Sequence, residues 1–164
     1  FFPPVCLSYA TGRREAVGDA KGTGPGLLQA AELSRALHKK GVDCASGLGV
    51  PAGADWKTFL TKIDSRFANC RVMIVLLSKA FYQSTPCLTE VHKAIRCTRR
   101  NVKLIPLRCE ANLPIEDDQW PTTEEEDVVM LEEVQAKLRA INSLPPRGTF
   151  WDDPDSMGAL LDDV

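Results

Sequence analysis

The stretch Ser84 to Ile95, "STPCLTEVHKAI", carries a cysteine and a glutamate at C-x-x-E spacing, Cys87 and Glu90, directly after a strongly apolar run. A carboxylate in that position has two uses. It could be aimed at a ligand, as a charge stabiliser or proton carrier. It could equally be a solvated helix residue paired with Lys93 in the next turn, worth a few tenths of a kcal/mol. Thr85 and Pro86 read as an N-cap and first helical residue. Leu88, Val91 and Ile95 then form the core face, with Glu90, Lys93 and Cys97 on another side. Spacing by itself leaves both readings open.

Other chemistries are poorly supplied. The two histidines, His38 and His92, and the six cysteines show no metal-ligand spacing, so no metal site is expected. The cysteines (Cys6, Cys44, Cys70, Cys87, Cys97, Cys109) lie in or beside apolar runs and form no C-x-x-C pair. Reduced thiols in a cytosolic domain are expected rather than a disulfide framework. The segment "GTGPG" has G-x-G-x-G spacing and lies well past its strand, so it does not match a dinucleotide fingerprint. There is no G-x-S-x-G elbow and no G-K-[ST] loop. A phosphate-accepting receiver would need an aspartate at the end of the third strand, where Ser78 stands.

The elements that must hold Glu90 follow from hydrophobic period. Short apolar runs at 5–10, 42–45, 72–78 and 102–108 alternate with helical segments, the pattern of an α/β domain with a parallel sheet. One helix lies in "PGLLQAAELSRALHKKG", with Leu27, Ala30 or Ala31, Ser34 and Leu37 on one face and Gly41 as C-cap. A second, "ADWKTFLTKIDSRFA", starts near Asp55. A third follows the acidic connection 109–123, opened by a capping box of Thr122 with Glu125 or Thr123 with Glu126, and carries Leu131, Val134, Leu138 and Ile141. "GTFW" is expected as a fifth edge strand, and a last short helix takes Asp153 as N-cap and Pro154 at its first position.

The expected fold is a flavodoxin-like doubly wound parallel sheet of five strands, order 2-1-3-4-5, with helices on both faces. Residues 1–164 then form one domain, with a loop insertion at 10–26. In such sheets ligands bind beyond the carboxyl ends of the strands at the switch point, where the loops after Tyr9, Ala45 and Ser78 converge. Arg13 and Arg14 could reach an anionic ligand there. A length of 164 residues with 44% hydrophobic residues suits one core. The net charge of −2 gives no reason to expect nucleic acid or an anionic membrane as partner. No apolar run nears the roughly 18 residues of a membrane helix, and the start without Met suggests a piece of a longer protein.

"VCLSYA", "AGADWKTFL", "VMIVLLSKAFYQSTPCLTE" and "VKLIPLR", in that order, resemble the Toll/interleukin-1 receptor (TIR) domain family over about Val5 to Arg108. The resemblance implies a cytoplasmic module that self-associates or pairs with other TIR domains in immune or cell-death signalling. Gly47, Leu48, Gly49, Val50, Pro51 and Gly53 fall where the family has its assembly loop. Many members also cleave NAD⁺, their catalytic glutamate aligning with Glu90. The pocket would then include Ser8, Tyr9, Arg13, Trp56, Ser78 and Cys87, with NAD⁺ as substrate and no bound cofactor. Nicotinamide leaves from a cationic nitrogen, so one carboxylate suffices where ordinary glycosidases need two. The family also contains inert scaffolds with the same C-x-x-E, and Pro86 stands where many relatives keep a tryptophan.

Overall fold

The computed structural model describes residues 4–10, 26–46, 69–97, 101–113, 120–121 and 125–164. Strands β1 (Val5–Ser8), β2 (Cys44–Ala45), β3 (Val72–Leu77) and β4 (Lys103–Arg108) form a parallel sheet in the order β2-β1-β3-β4. Helix α1 (Leu27–Lys39) lies in the chain between β1 and β2. Helices α2 (Lys79–Tyr82) and α3 (Thr85–Arg96) follow β3, and α4 (Val128–Ala140) and α5 (Ser156–Asp163) complete the chain.

Strand period decides which helix each side chain meets. Along β3, Met73, Val75 and Leu77 point to a core shared with Cys6, with Cys87, Leu88, Val91 and Ala94 of α3, and with Met130 and Val134 of α4. Ile74 and Leu76 point the other way, to Ala30, Leu33 and Leu37 of α1 and Leu160 of α5. Both faces of the sheet are therefore covered, which is why its strands read as unbroken apolar runs.

Helix α1 ends as its sequence dictates. Gly41 adopts φ +76°, the left-handed conformation that costs glycine least. Its amide donates to the His38 carbonyl at 2.9 Å, and that of Val42 to Leu37 at 3.0 Å. Together they satisfy the last turn as a Schellman motif.

Several expected details differ. Among the described residues the sheet has four strands, and "GTFW" forms none. The position beside β4 is held instead by a single parallel bridge from Leu144 to Leu107, and the Leu144 amide donates to Pro106 O at 2.8 Å. Pro145 and Pro146 come next, and neither has an N–H to extend the ladder. Pro106 itself sits within β4 without harm, because its carbonyl, and with it the missing N–H, faces Leu144 rather than β3. Phe150 of "GTFW" is buried in the second core instead.

Helix starts also move. α3 is capped by Ser84, whose Oγ accepts from the Cys87 amide at 3.4 Å, so Thr85 is the first helical residue rather than the cap. α5 begins at Ser156 with Asp155 before it, although Asp153 still accepts from the Ser156 hydroxyl. α4 begins at Val128 after a short 3-10 turn, Glu125–Asp127, and Ile141 falls just past its end. Thr122 and Thr123, the loop at 11–25, the expected helix from Asp55, and Arg13, Trp56 and Gly47 to Gly53 lie outside the described residues. All six cysteines are free thiols, as expected.

Candidate active site at the carboxyl end of the sheet

Ser8 is the last residue of β1 and shares the face of Cys6, two positions earlier, so it points toward α3. It is buried, and its hydroxyl donates to Glu90 Oε2 at 2.6 Å. The pair lies at the carboxyl end of β1, beside β3, where the strand order reverses. It is the place at which doubly wound sheets bind ligands.

Glu90 faces inward because the buried stripe of α3 runs through Cys87, Leu88, Val91 and Ala94. Ala94, not Ile95, is the fully packed residue of the last turn, which rotates the core face toward Glu90. Glu90 is three residues from Cys87 and four from Ala94, and residues so spaced share a helix side. That arrangement could have been read from the sequence by weighting the small residues Cys87 and Ala94 as core formers. The expectation that Glu90 lies on a different side from the core is thus corrected.

The electrostatics follow from this placement. Burial pushes the Glu90 carboxyl up to about 7, and the Ser8 hydrogen bond only partly opposes it. The side chain keeps some exposed surface, yet protein atoms crowd the carboxyl on nearly every side. Glu90 sits beyond the first turn of α3, where the helix dipole has largely faded. Desolvation therefore wins.

Cys87 lies one turn before Glu90, its thiol donating to the Tyr9 carbonyl at 3.4 Å. Burial, reinforced by the nearby Glu90, raises that thiol to about 12. It is a neutral packing group at neutral pH and no nucleophile. Tyr9 is likewise pushed up to about 12, by burial first and then by Glu90 and Cys87. Of these groups Glu90 alone titrates near neutrality, where a carboxyl can serve as base or acid.

Ser78 is placed differently from the others. Its buried Oγ accepts from the Phe81 amide at 3.1 Å and caps α2. The α2 amide of Lys79 donates to Glu110 Oε2 at 2.8 Å, so the loop after β4 is tied to the loop after β3. The structure brings together Ser8, Tyr9, Cys87 and Glu90. Two residues that sequence reasoning passed over also stand at this end of the sheet. Arg108 ends β4, and Trp120 packs edge-on to Tyr82 with ring centroids 5.0 Å apart. An arginine at the end of an apolar strand run was the available signal for the first; Trp120, inside an acidic connection, offered none.

The model of the TIR domain family matches residues 28–141 of the chain. The chain belongs to the TIR domain family. No curated protein matches it. Among solved structures, this TIR domain is similar to the TIR domains in the "Structure of the activated Roq1 resistosome directly recognizing the pathogen effector XopQ", with a TM-score of 0.61 and 21% identity over 98% of each chain. At that identity the likeness establishes the shared fold. Among the described residues, no helix is long and apolar enough to cross a membrane.

Proposed function

We propose that this TIR domain is a signalling module that acts by associating with other TIR domains, in immune or cell-death signalling. Family membership carries the reading, and the end-to-end likeness to TIR domains within a resistosome supports it. Leu28 is 64% and Val129 57% exposed, apolar surface that an associating copy would cover. Light scattering over a dilution series tests the reading. Association that strengthens with concentration is expected; an unchanging monomer that also binds no other TIR domain would overturn it.

A second reading, NAD⁺ glycohydrolase activity, is favoured by one observation, the desolvated Glu90 held by Ser8 at the switch point. In that reaction the C1′–N bond breaks, its electron pair goes to the nicotinamide nitrogen, and water adds to C1′ with release of a proton. The cationic substrate would draw Glu90 back to its ionised form. The carboxylate would then stabilise the oxocarbenium-like transition state. Ser8 would fix the carboxylate's orientation. Nicotinamide release by concentrated protein, lost in Glu90→Ala, is the expected result; equal release by both proteins would remove Glu90 from the reaction.

A further inference from the structure

A separate cavity of about 280 Å³ opens at the carboxyl ends of β3 and β4, lined by Leu77 and Arg108 of the strands, Tyr82 and Trp120, and Gln135, Leu138 and Arg139 of α4. It shares no lining residue with the Ser8, Tyr9, Cys87 and Glu90 cluster. Its described lining contains two guanidinium groups and no carboxylate.

Arg108 is held in place by backbone carbonyls, and among the described residues no carboxylate pairs with it. Nε donates to Gly148 O at 3.1 Å, Nη1 to Leu113 O at 3.1 Å and Nη2 to Ala111 O at 2.7 Å. These carbonyls use three of its donors and leave others over. Its positive charge reaches the cavity wall, where it partly offsets the burial that raises Tyr82 to about 12. Trp120 supplies an aromatic wall beside Tyr82. The residue is buried, and its indole Nε1 has no hydrogen-bond partner among the described residues.

From this arrangement we infer that the cavity is a second ligand site, taking a small single-ring anion whose ring lies against the Tyr82 and Trp120 wall and whose acidic group meets Arg108. The volume falls just under the usual range for drug-sized ligands, which limits the occupant to a compact molecule. A preorganised guanidinium prefers a planar, bidentate acceptor, so carboxylate and phosphate are the chemistries that fit. Arg139, on an exposed turn of α4, adds a second cation at the rim.

The test is an NMR titration of ¹⁵N-labelled protein with benzoate, phenyl phosphate and neutral benzamide, following the Trp120 indole N–H resonance, assigned with Trp120→Phe. Benzoate or phenyl phosphate should shift that resonance saturably while benzamide does not, and the stronger of the two anions identifies the acidic group. Arg108→Gln should weaken binding at least tenfold. Should that variant fail to fold, Arg139→Gln at the exposed rim should weaken it about threefold, and Leu138→Trp, which fills the cavity, should abolish it. Glu90→Gln should leave the titration unchanged, which separates this site from the NAD⁺ reading. An equal response to benzamide, a silent Trp120 resonance, or unchanged binding in both Arg139→Gln and Leu138→Trp would overturn the inference.

Discussion

Two glutamates pack at helix α3, and their surroundings treat them in opposite ways. Glu90 belongs to α3 and turns into the protein, where its one hydrogen-bond donor among the described residues is the neutral hydroxyl of Ser8. Glu133 reaches α3 from α4. It accepts from Arg96 through Nε at 2.9 Å and Nη2 at 2.5 Å, and meets His92 Nε2 at 2.8 Å. Arg96 first, and then His92, hold the Glu133 carboxyl below its ordinary range. Burial holds the Glu90 carboxyl above it. The same side chain is thus a fixed surface anion in one place and a titratable group in the other. The difference lies in whether water and cations, or apolar walls, surround it.

The largest expected contrast is catalytic. If NAD⁺ cleavage runs through the buried acid, Glu90→Ala should lower nicotinamide release by at least about a hundredfold, while Glu133→Ala stays within about twofold. Circular dichroism should show both proteins folded. Comparable losses in the two variants would erase the distinction.

Next comes stability against pH. The folded carboxyl of Glu90 titrates near 7 against an ordinary 4.5, so between those values the folded state holds more protons than the unfolded one. Stability from this group is therefore complete below about 4.5, falls as pH rises toward about 7, and levels off above. Glu90→Gln removes the titration and keeps an acceptor for Ser8. It should stabilise the domain by up to about 3 kcal/mol at pH 8 and hardly at all at pH 4. Urea denaturation at the two pH values measures this, and an equal effect at both would contradict a raised carboxyl.

Ser8→Ala sharpens the same point at smaller scale. Losing the only described donor should cost about 1 kcal/mol and move the Glu90 titration higher still, because the hydroxyl favours the ionised form. A ¹³C-detected carboxyl titration that stays put or moves down would refute the pairing. Least of all, Glu133→Gln should leave the melting temperature unchanged at physiological ionic strength, as expected for an ion pair that solvent reaches. A clear drop would mean that the α3–α4 contact depends on charge more than on Met130 and Val134.

Much of this was legible beforehand. The four strand runs, α1 with its Gly41 terminator, and the covering of both sheet faces follow from period and composition. Short-range chemistry acts wherever the chain goes, so Gly41 and the apolar alternation of β3 speak for themselves. The C-x-x-E motif marked Glu90 as a candidate and left its direction open. Helix starts were displaced because caps compete at close quarters; Ser84, Thr85 and Asp153, Asp155 are all competent, and packing chooses between them. The fifth strand failed at Pro145 and Pro146, where the prolines outvote the aromatic pattern of "GTFW".

What the amino-acid sequence determined alone is therefore the set of parts: a parallel sheet, the helices on it, reduced thiols, and one carboxylate in a helix after the third strand. Only the tertiary structure decided what that carboxylate is. Rotation of α3 toward Ala94 set Glu90 against Ser8 and withdrew it from water, and desolvation is a property of everything packed around a group rather than of its neighbours in the chain. The same holds for Arg108 and Trp120, which line one cavity together with Gln135, Leu138 and Arg139 of α4.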